Sequence, residues 1–302
     1  MRVTVQDGVE IGAEGSVKLA CKLLSVTIST SDGHPMLLDR SFPVKKMSRP
    51  EQLHVRKEME MEYVGIVEGI FESRPNRFIA HVKVNGETVV SHVKNTGRCR
   101  ELLLPGARVF LEYHPEAAEG KRKTAYDLIG VYKGDTLINM DSQAPNRVAF
   151  EWVQSEQGAA FLLPEGRGRI RNLRREVVHG DSRFDLAFEL ESGDRTVTPA
   201  FMEVKGVTLE ENGVAMFPDA PTERGIKHLN GLARAVREGY AAYALFVIQM
   251  KGVREFRPND VTHPAFGEAL KNARDAGVTV LAFDCRVTEH TLDMGDEVQV
   301  RL

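Results

Sequence analysis

Asp185, Glu203 and Lys205 stand where a buried sheet would ordinarily take apolar residues. They lie in "SRFDLAFELESGDRTVTPAFMEVKGVTL", residues 182–209. The apolar runs "FDLAFEL" and "TPAFMEV" flank "ESGDR", a turn composition, so this stretch is expected to fold as a hairpin. Side chains on a strand alternate faces, which puts Glu203 and Lys205 together and Met202 and Val204 opposite. Closing the hairpin on its turn sets Asp185 within one residue of Glu203 in register; a slip of one would turn a partner to the other face. Two carboxylates in a half-buried place repel each other and are costly unless something positive lies between them. A divalent cation supplies that charge, and oxygen ligands suit Mg²⁺ or Mn²⁺. A lysine one strand step away can orient a metal-bound water or stabilise developing negative charge. D-x(n)-E-x-K is therefore a constellation for phosphodiester hydrolysis. An isolated E-x-K is more often a salt bridge on an edge strand. The apolar flanks, the upstream Asp and the order of surrounding elements favour the metal reading here.

Glu176, in "RNLRREVVHGDSRFD", is a candidate third metal ligand; as a partner for Arg174 or Arg175 it would be purely structural. "GRGRIRNLRR" carries Arg167, Arg169, Arg171, Arg174 and Arg175, and Arg183 follows. Such a cluster suits a phosphate backbone, and a solvated basic face would read the same way. "FPDAPTERGIKHLNGL" sets Arg224, Lys227 and His228 at i, i+3 and i+4, on one face of an expected helix whose N-terminus can receive phosphate. A lone His such as His228 is also often a structural hydrogen-bonder. Pro218-Asp219 follows E-x-K, the wrong order for an upstream catalytic acid. Further upstream, Arg77 in "RPNRF" and the Asn95-Thr96-Gly97 turn with Arg98 offer charge and backbone amides to an anion, although an ordinary turn fits equally well. The residues expected to contact a phosphate backbone are thus Arg77, Asn95, Thr96, Arg98, Arg174, Arg183, Arg224, Lys227 and His228.

Three regions must position these groups. Residues 1–60 include "SDGHPMLLDRSFPVKKMSRPEQ", rich in Pro, Ser and charge and without periodicity. They read as a flexible extension, or as upstream sequence from a wrongly chosen start, with Met59 and Met61 just before the first convincing strand. No function is assigned there. Residues 61–143 give three strand-like runs separated by "SRPN" and "NGE", the latter a strong hairpin signal. A short helix in "GRCRELL" and two strands in "PGARVFLEYH" and "KTAYDLIGVYKG" follow. That β-β-β-α-β-β order fits an OB-type barrel, a fold that often binds oligonucleotides without proving that it does. Residues 144–302 read as α-β-β-β-α-β-α-β, a mixed sheet flanked by helices, with one helix in "NRVAFEWVQSEQ" and the last strand in "VTVLAFDCRV".

The 302 residues are 42% hydrophobic and 27% charged, enough apolar mass for real cores. A net charge of −3 means that any polyanion must meet a local basic patch. Cys21, Cys99 and Cys285 form no CxxC and cannot all pair, which favours a reducing cytoplasm and argues against a zinc ribbon. No apolar run approaches a membrane span, and no secretory signal is visible. The localisation expected is cytoplasmic, with no membrane partner.

"RPNRF", "HVKNTGR", "PGARV", "RKTAYDL", "HGDSRFDL", "MEVKGVTL", "FPDAPTERGIKHL" and "FDCRV", in this order, resemble the sugar fermentation stimulation protein (SfsA) family. The resemblance spans residues 63–302. It implies an α+β two-domain protein: an OB-fold-like β-barrel followed by a PD-(D/E)xK nuclease-like α/β domain with a mixed sheet. It also implies DNA binding linked to sugar-utilisation genes, and places the acid–acid–lysine positions on Asp185, Glu203 and Lys205. Val93-Lys94 stands where the family usually has Cys-Pro, and Cys99 where Met is common.

Two functions follow from different classes. In the first, a metal-dependent nuclease, Asp185 and Glu203 hold Mg²⁺ with help from the Val204 carbonyl, and Lys205 positions the attacking water. The alternative is a non-catalytic DNA-binding regulator of sugar-utilisation genes with a nuclease-like fold. An intact acid–acid–lysine set argues against mere degeneration, and no confident helix-turn-helix is visible. A small phosphorylated ligand is a third option that nothing selects. The expected partner is nucleic acid, DNA first; a homodimer is compatible with the sequence.

Overall fold

Strand residues 79–84 alternate as a half-buried strand should: Ala80, Val82 and Val84 are buried and Lys83 is exposed. The computed structural model describes residues 61–302 except 96, 121 and 164–167. The expected extension 1–60, Cys21, Thr96 and Arg167 therefore lie outside the described residues. After β1 (Met61–Glu62) come β2 (Ile66–Asn76), β3 (Ile79–Val84), β4 (Glu87–Val93), β5 (Arg108–Tyr113) and β6 (Tyr126–Lys133). β2 pairs antiparallel with β3 and β5, β3 with β4, and β5 with β6. A parallel β4–β6 ladder closes the five-stranded barrel. Asn85 and Gly86 both adopt positive φ, as the Asn-Gly turn between β3 and β4 requires. Gly69 is needed where strands approach closely: a Cβ there would lie 2.5 Å from Val82 Cγ1.

The short helix expected in "GRCRELL" does not form. Cys99 is left-handed, and the Arg98 carbonyl is taken by Arg74 Nη1 at 2.9 Å, so the segment is a turn with Leu103 N donating to the Cys99 carbonyl. β7 (Thr136–Asn139) then extends the barrel sheet beyond β6.

The second half begins with α1 (Ala144–Val153) and α2 (Glu156–Leu162). The single helix expected there is split because Ser155 is extended and its Oγ accepts from Gly158 N at 3.0 Å, capping a new helix. Then follow β8 (Gly168–His179), β9 (Ser182–Ser192), β10 (Val197–Val207), β11 (Leu209–Glu211), β12 (Val214–Phe217), α3 (Glu223–Arg237), β13 (Ala241–Ile248), β14 (Glu255–Pro258), α4 (Pro264–Asp275), β15 (Thr279–Val287), β16 (Thr291–Glu297) and β17 (Gln299–Val300). A seven-stranded mixed sheet has the order β1-β16-β15-β13-β10-β9-β8. The apolar run of β13 is its parallel centre, between β10 and β15. Two cores cover the two faces of this sheet. Trp152 of α1 packs in one with Phe188, Met202 and Val204, and Leu229 and Leu232 of α3 pack in the other with Phe184, Phe201 and Phe246.

"VTVLAFDCRV" is not the last strand, and a four-stranded sheet β11-β12-β14-β17 was not expected at all. Its strands have two to four residues, too few to show a period. Among the described residues no helix is long and apolar enough to cross a membrane.

Candidate metal centre and nucleic-acid face

The β9–β10 ladder ends at Leu186 opposite Met202, and one further step in the same register sets Asp185 opposite Glu203. There the backbone pairing gives way to a side chain: Asp185 Oδ2 accepts from Val204 N at 2.8 Å. Asp185 Oδ1 accepts from Asn146 Nδ2 at 3.0 Å, reached from the first turns of α1. Glu203 is 2% exposed, and Lys205 Nζ, one strand step on, bonds to its Oε1. The same oxygen is bonded by His228 Nδ1 from α3, and Arg224 Nε donates to His228 Nε2 at 3.5 Å. The ring thus gives its proton to Glu203 and accepts at its other nitrogen. Glu203 Oε2 is buried and has no hydrogen-bond partner. Gly206 lets the N-terminus of α1 close on this strand, since a Cβ there would lie 2.6 Å from Gln249 Oε1 and 2.7 Å from Pro145 Cγ.

The electrostatics divide the two acids. Burial is the largest influence on Glu203 and opposes its charge, but the His228 hydrogen bond and Lys205 outweigh it and hold the carboxyl below its usual range. Burial first, then the neighbouring Glu203 charge, push Asp185 above its usual range against the pull of Val204 N, Lys205 and Asn146. A second full charge beside Glu203 is what the site resists. An added cation would relieve that resistance and give the unpartnered Oε2 a partner, so the residues present fit a divalent metal with oxygen ligands.

Glu176 is exposed, has positive φ, and pairs with Arg183 Nη1 at 3.4 Å, not with Arg174 or Arg175. It nevertheless lines a pocket of about 420 Å³ with Asp185, Asn146, Arg175 and Leu186. Glu112, His114 and Asp127 bring ligand atoms within 4.8 Å of one another in the barrel. That group already holds cationic charge: Asp127 is 2.6 Å from Arg122 and 3.4 Å from Lys94, which also bonds Asp141 at 3.1 Å.

The basic residues divide as well. Arg77, Arg98 and Arg174 are exposed, whereas Arg169 and Arg171 spend their charge on Glu191. Arg224 and Lys227 are exposed on α3, and Lys227 lies 3.8 Å from Asp181. His228, expected beside them on a DNA-facing surface, is only 6% exposed and belongs to the acid cluster; a helical face of three residues is wide enough to straddle surface and core. Asn95 Oδ1 caps its own turn through Gly97 N at 2.8 Å. The anion beside that turn is the chain's own: Asp219 Oδ2 accepts from Arg98 N at 3.1 Å, and a Cβ on Gly97 would collide with it. Sequence reasoning missed Asn146 and the structural use of Asp219, because neither partner is local.

An OB barrel followed by a mixed-sheet domain with an acid–acid–lysine hairpin defines the class: a two-domain protein whose second domain is PD-(D/E)xK nuclease-like. The family model for the SfsA N-terminal OB domain matches residues 73–140, and that for the sugar fermentation stimulation protein RE domain matches residues 143–291. The chain belongs to the sugar fermentation stimulation protein (SfsA) family. It is 55% identical over 242 residues to a sugar fermentation stimulation protein homolog of Desulfitobacterium hafniense (strain Y51), covering 80% of this chain and 99% of the relative. A homolog from Ruminiclostridium cellulolyticum is 49% identical over 242 residues, covering 80% and 100%. Among solved structures, Pyrococcus furiosus SfsA in complex with Ca²⁺ matches with a TM-score of 0.68 and 27% identity, over 81% of this chain and 100% of that one.

Proposed function

We propose that the protein is a metal-dependent nuclease acting on DNA. The observation that carries this reading is the buried, unpartnered Oε2 of Glu203 beside an Asp185 that resists ionisation. Asp185 and Glu203 would hold Mg²⁺ or Mn²⁺, with Glu176 across the shared pocket as an outer acid. The bound ion supplies Lewis-acid charge and acidifies a coordinated water. Lys205 carries its ammonium on the same face as Glu203, where it can hold the attacking water or neutralise charge growing on a phosphoryl oxygen. His228 and Asn146 fix the two carboxylates through their hydrogen bonds. Arg77, Asn95, Arg98, Arg174, Arg183, Arg224 and Lys227 would bind the phosphate backbone, so that affinity falls with salt. The Ca²⁺ complex of the Pyrococcus furiosus relative supports the reading, since Ca²⁺ and Mg²⁺ both take oxygen ligands.

The test is cleavage of labelled single-stranded, duplex and branched DNA, and of RNA, with Mg²⁺ or Mn²⁺, comparing wild type with Glu203→Ala and Lys205→Ala. Cleavage lost in both variants with binding retained supports the assignment. Salt-sensitive binding without metal-dependent cleavage of any substrate replaces it with the regulatory reading.

A further inference from the structure

We propose that the turn between β2 and β3 is a base-stacking subsite for single-stranded DNA: the Phe78 ring takes the face of one unpaired base, and Arg77 and Arg98 take the phosphates on either side. The subsite rests on the DNA-binding reading above and specifies its substrate. Phe78 is 50% exposed, although its backbone is tied down. Its N–H donates to Asn76 Oδ1 at 2.9 Å, and its carbonyl accepts from Val93 N at 2.8 Å. Arg74 buckles this turn to Asn95 and Arg98, giving Nη2 to the carbonyls of Arg77 (2.7 Å) and Asn95 (2.8 Å) and Nη1 to that of Arg98 (2.9 Å). The ring is therefore offered to solvent from a fixed backbone, which lowers the entropy cost of binding on it.

A single exposed ring is ordinary by itself. This one shares its turn with Arg77, and Arg74 ties that turn to Arg98. Among the described residues the exposed guanidinium groups of Arg77, Arg98 and Arg100 make no ion pair, as is also true of Arg174, Arg175 and Arg224, so they keep their charge for a ligand, whereas Arg169 and Arg171 spend theirs on Glu191. An exposed aromatic ring on a turn whose backbone is tied to two arginines of unspent charge is complementary to a strand of bases and phosphates. The turn also joins the first two strands of the barrel, a loop position that OB folds use for oligonucleotides. A duplex keeps its base faces stacked on one another, so the ring can reach only an unpaired base.

Two hydrogen bonds tie the chain beside the subsite to the segments that lead into the helices of the acid pair. The Arg98 amide donates to Asp219, three residues before the N-cap of α3, and α3 carries Arg224 and His228. On the other side, the Lys94 carbonyl accepts from Ser142 Oγ at 2.6 Å, just ahead of α1 and its Asn146. A strand anchored on Phe78 can thus run past Arg98 and Arg224 toward Asp185 and Glu203.

The experiment is fluorescence anisotropy of the full chain with labelled oligo(dT), a blunt DNA duplex of equal length and oligo(U), using wild type, Phe78→Ala, Phe78→Trp and Arg77→Ala. Phe78→Ala should weaken oligo(dT) binding about ten-fold and leave the duplex unchanged. Phe78→Trp should restore the affinity, with indole fluorescence quenched on binding. Arg77→Ala should lower the salt slope by about one. An equal loss on strand and duplex, no loss, or Phe78-dependent preference for oligo(U) would overturn the subsite. Wild-type binding to duplex with no effect of Phe78→Ala would remove the subsite alone, whereas no binding to any nucleic acid would remove the DNA reading with it.

Discussion

At the scale of the residue, the two oxygens of Glu203 are treated differently. Lys205 and His228 both occupy Oε1, and Oε2 is left buried without a partner. A carboxylate held in this way can offer one oxygen to a cation without changing its rotamer. His228 is then a positioning residue, with its tautomer set by the donation from Arg224 to its other nitrogen. Truncating it in His228→Ala should weaken Mn²⁺ binding by about ten-fold or more, the usual effect of removing a partner that orients a metal ligand. His228→Asn, which can still donate near the Nδ1 position, should recover part of that loss in a calorimetric titration; equal losses in both variants would count against a positioning role. The pairing of Asp185 with Glu203 was legible in the sequence because a turn between two apolar runs fixes register to within a residue. The contribution of Asn146 was not, because it depends on where α1 docks.

At the scale of the element, the barrel carries a polar cluster that composition does not reveal. Lys94 bridges Asp141 and Asp127, and Arg122 closes on Asp127 from the other side. Burial opposes ionisation of Asp127 most strongly, but Arg122, Lys94 and His114 together hold its carboxyl below the usual range. A depressed folded pKa stabilises the fold fully above the ordinary Asp range, and the benefit is lost as pH falls through the lower folded value. Thermal stability should therefore drop below about pH 4 in part through this group. Asp127→Asn should cost about 3 kcal/mol at neutral pH, because cationic partners lose their anion, and should flatten that acid limb. Unfolding curves followed across pH test both effects. The barrel strands were readable from their alternation and the Asn-Gly turn. The supposed helix in "GRCRELL" was misread because Arg74 and Asp219, distant in sequence, claim the backbone groups of Arg98.

At the scale of the whole molecule, the described residues fall within one compact unit, and the Lys94 carbonyl and the Arg98 amide bond to Ser142 and Asp219, just ahead of the two helices that carry Asn146 and His228. Removing the Asp219 contact in Asp219→Ala should cost about 2 kcal/mol, typical of a hydrogen bond to a charged group, and should speed amide exchange at Arg98 with little change at β13. Unchanged exchange at Arg98 would show that the contact does not hold the loop. The two-domain order was legible because each half has its own period and turn chemistry, and the resemblance covered both. The small sheet β11-β12-β14-β17 was not, since its strands are too short to carry a period and are assembled from distant segments. Whether Asp185 and Glu203 share a metal ion is read by titrating the full chain with Mn²⁺ and following the electron paramagnetic resonance of the free ion. Wild type should show a binding site that is lost in Asp185→Asn and in Glu203→Gln but kept in Asp127→Asn. Undiminished binding in both acid-pair variants, or no binding in wild type, would contradict a shared metal ion.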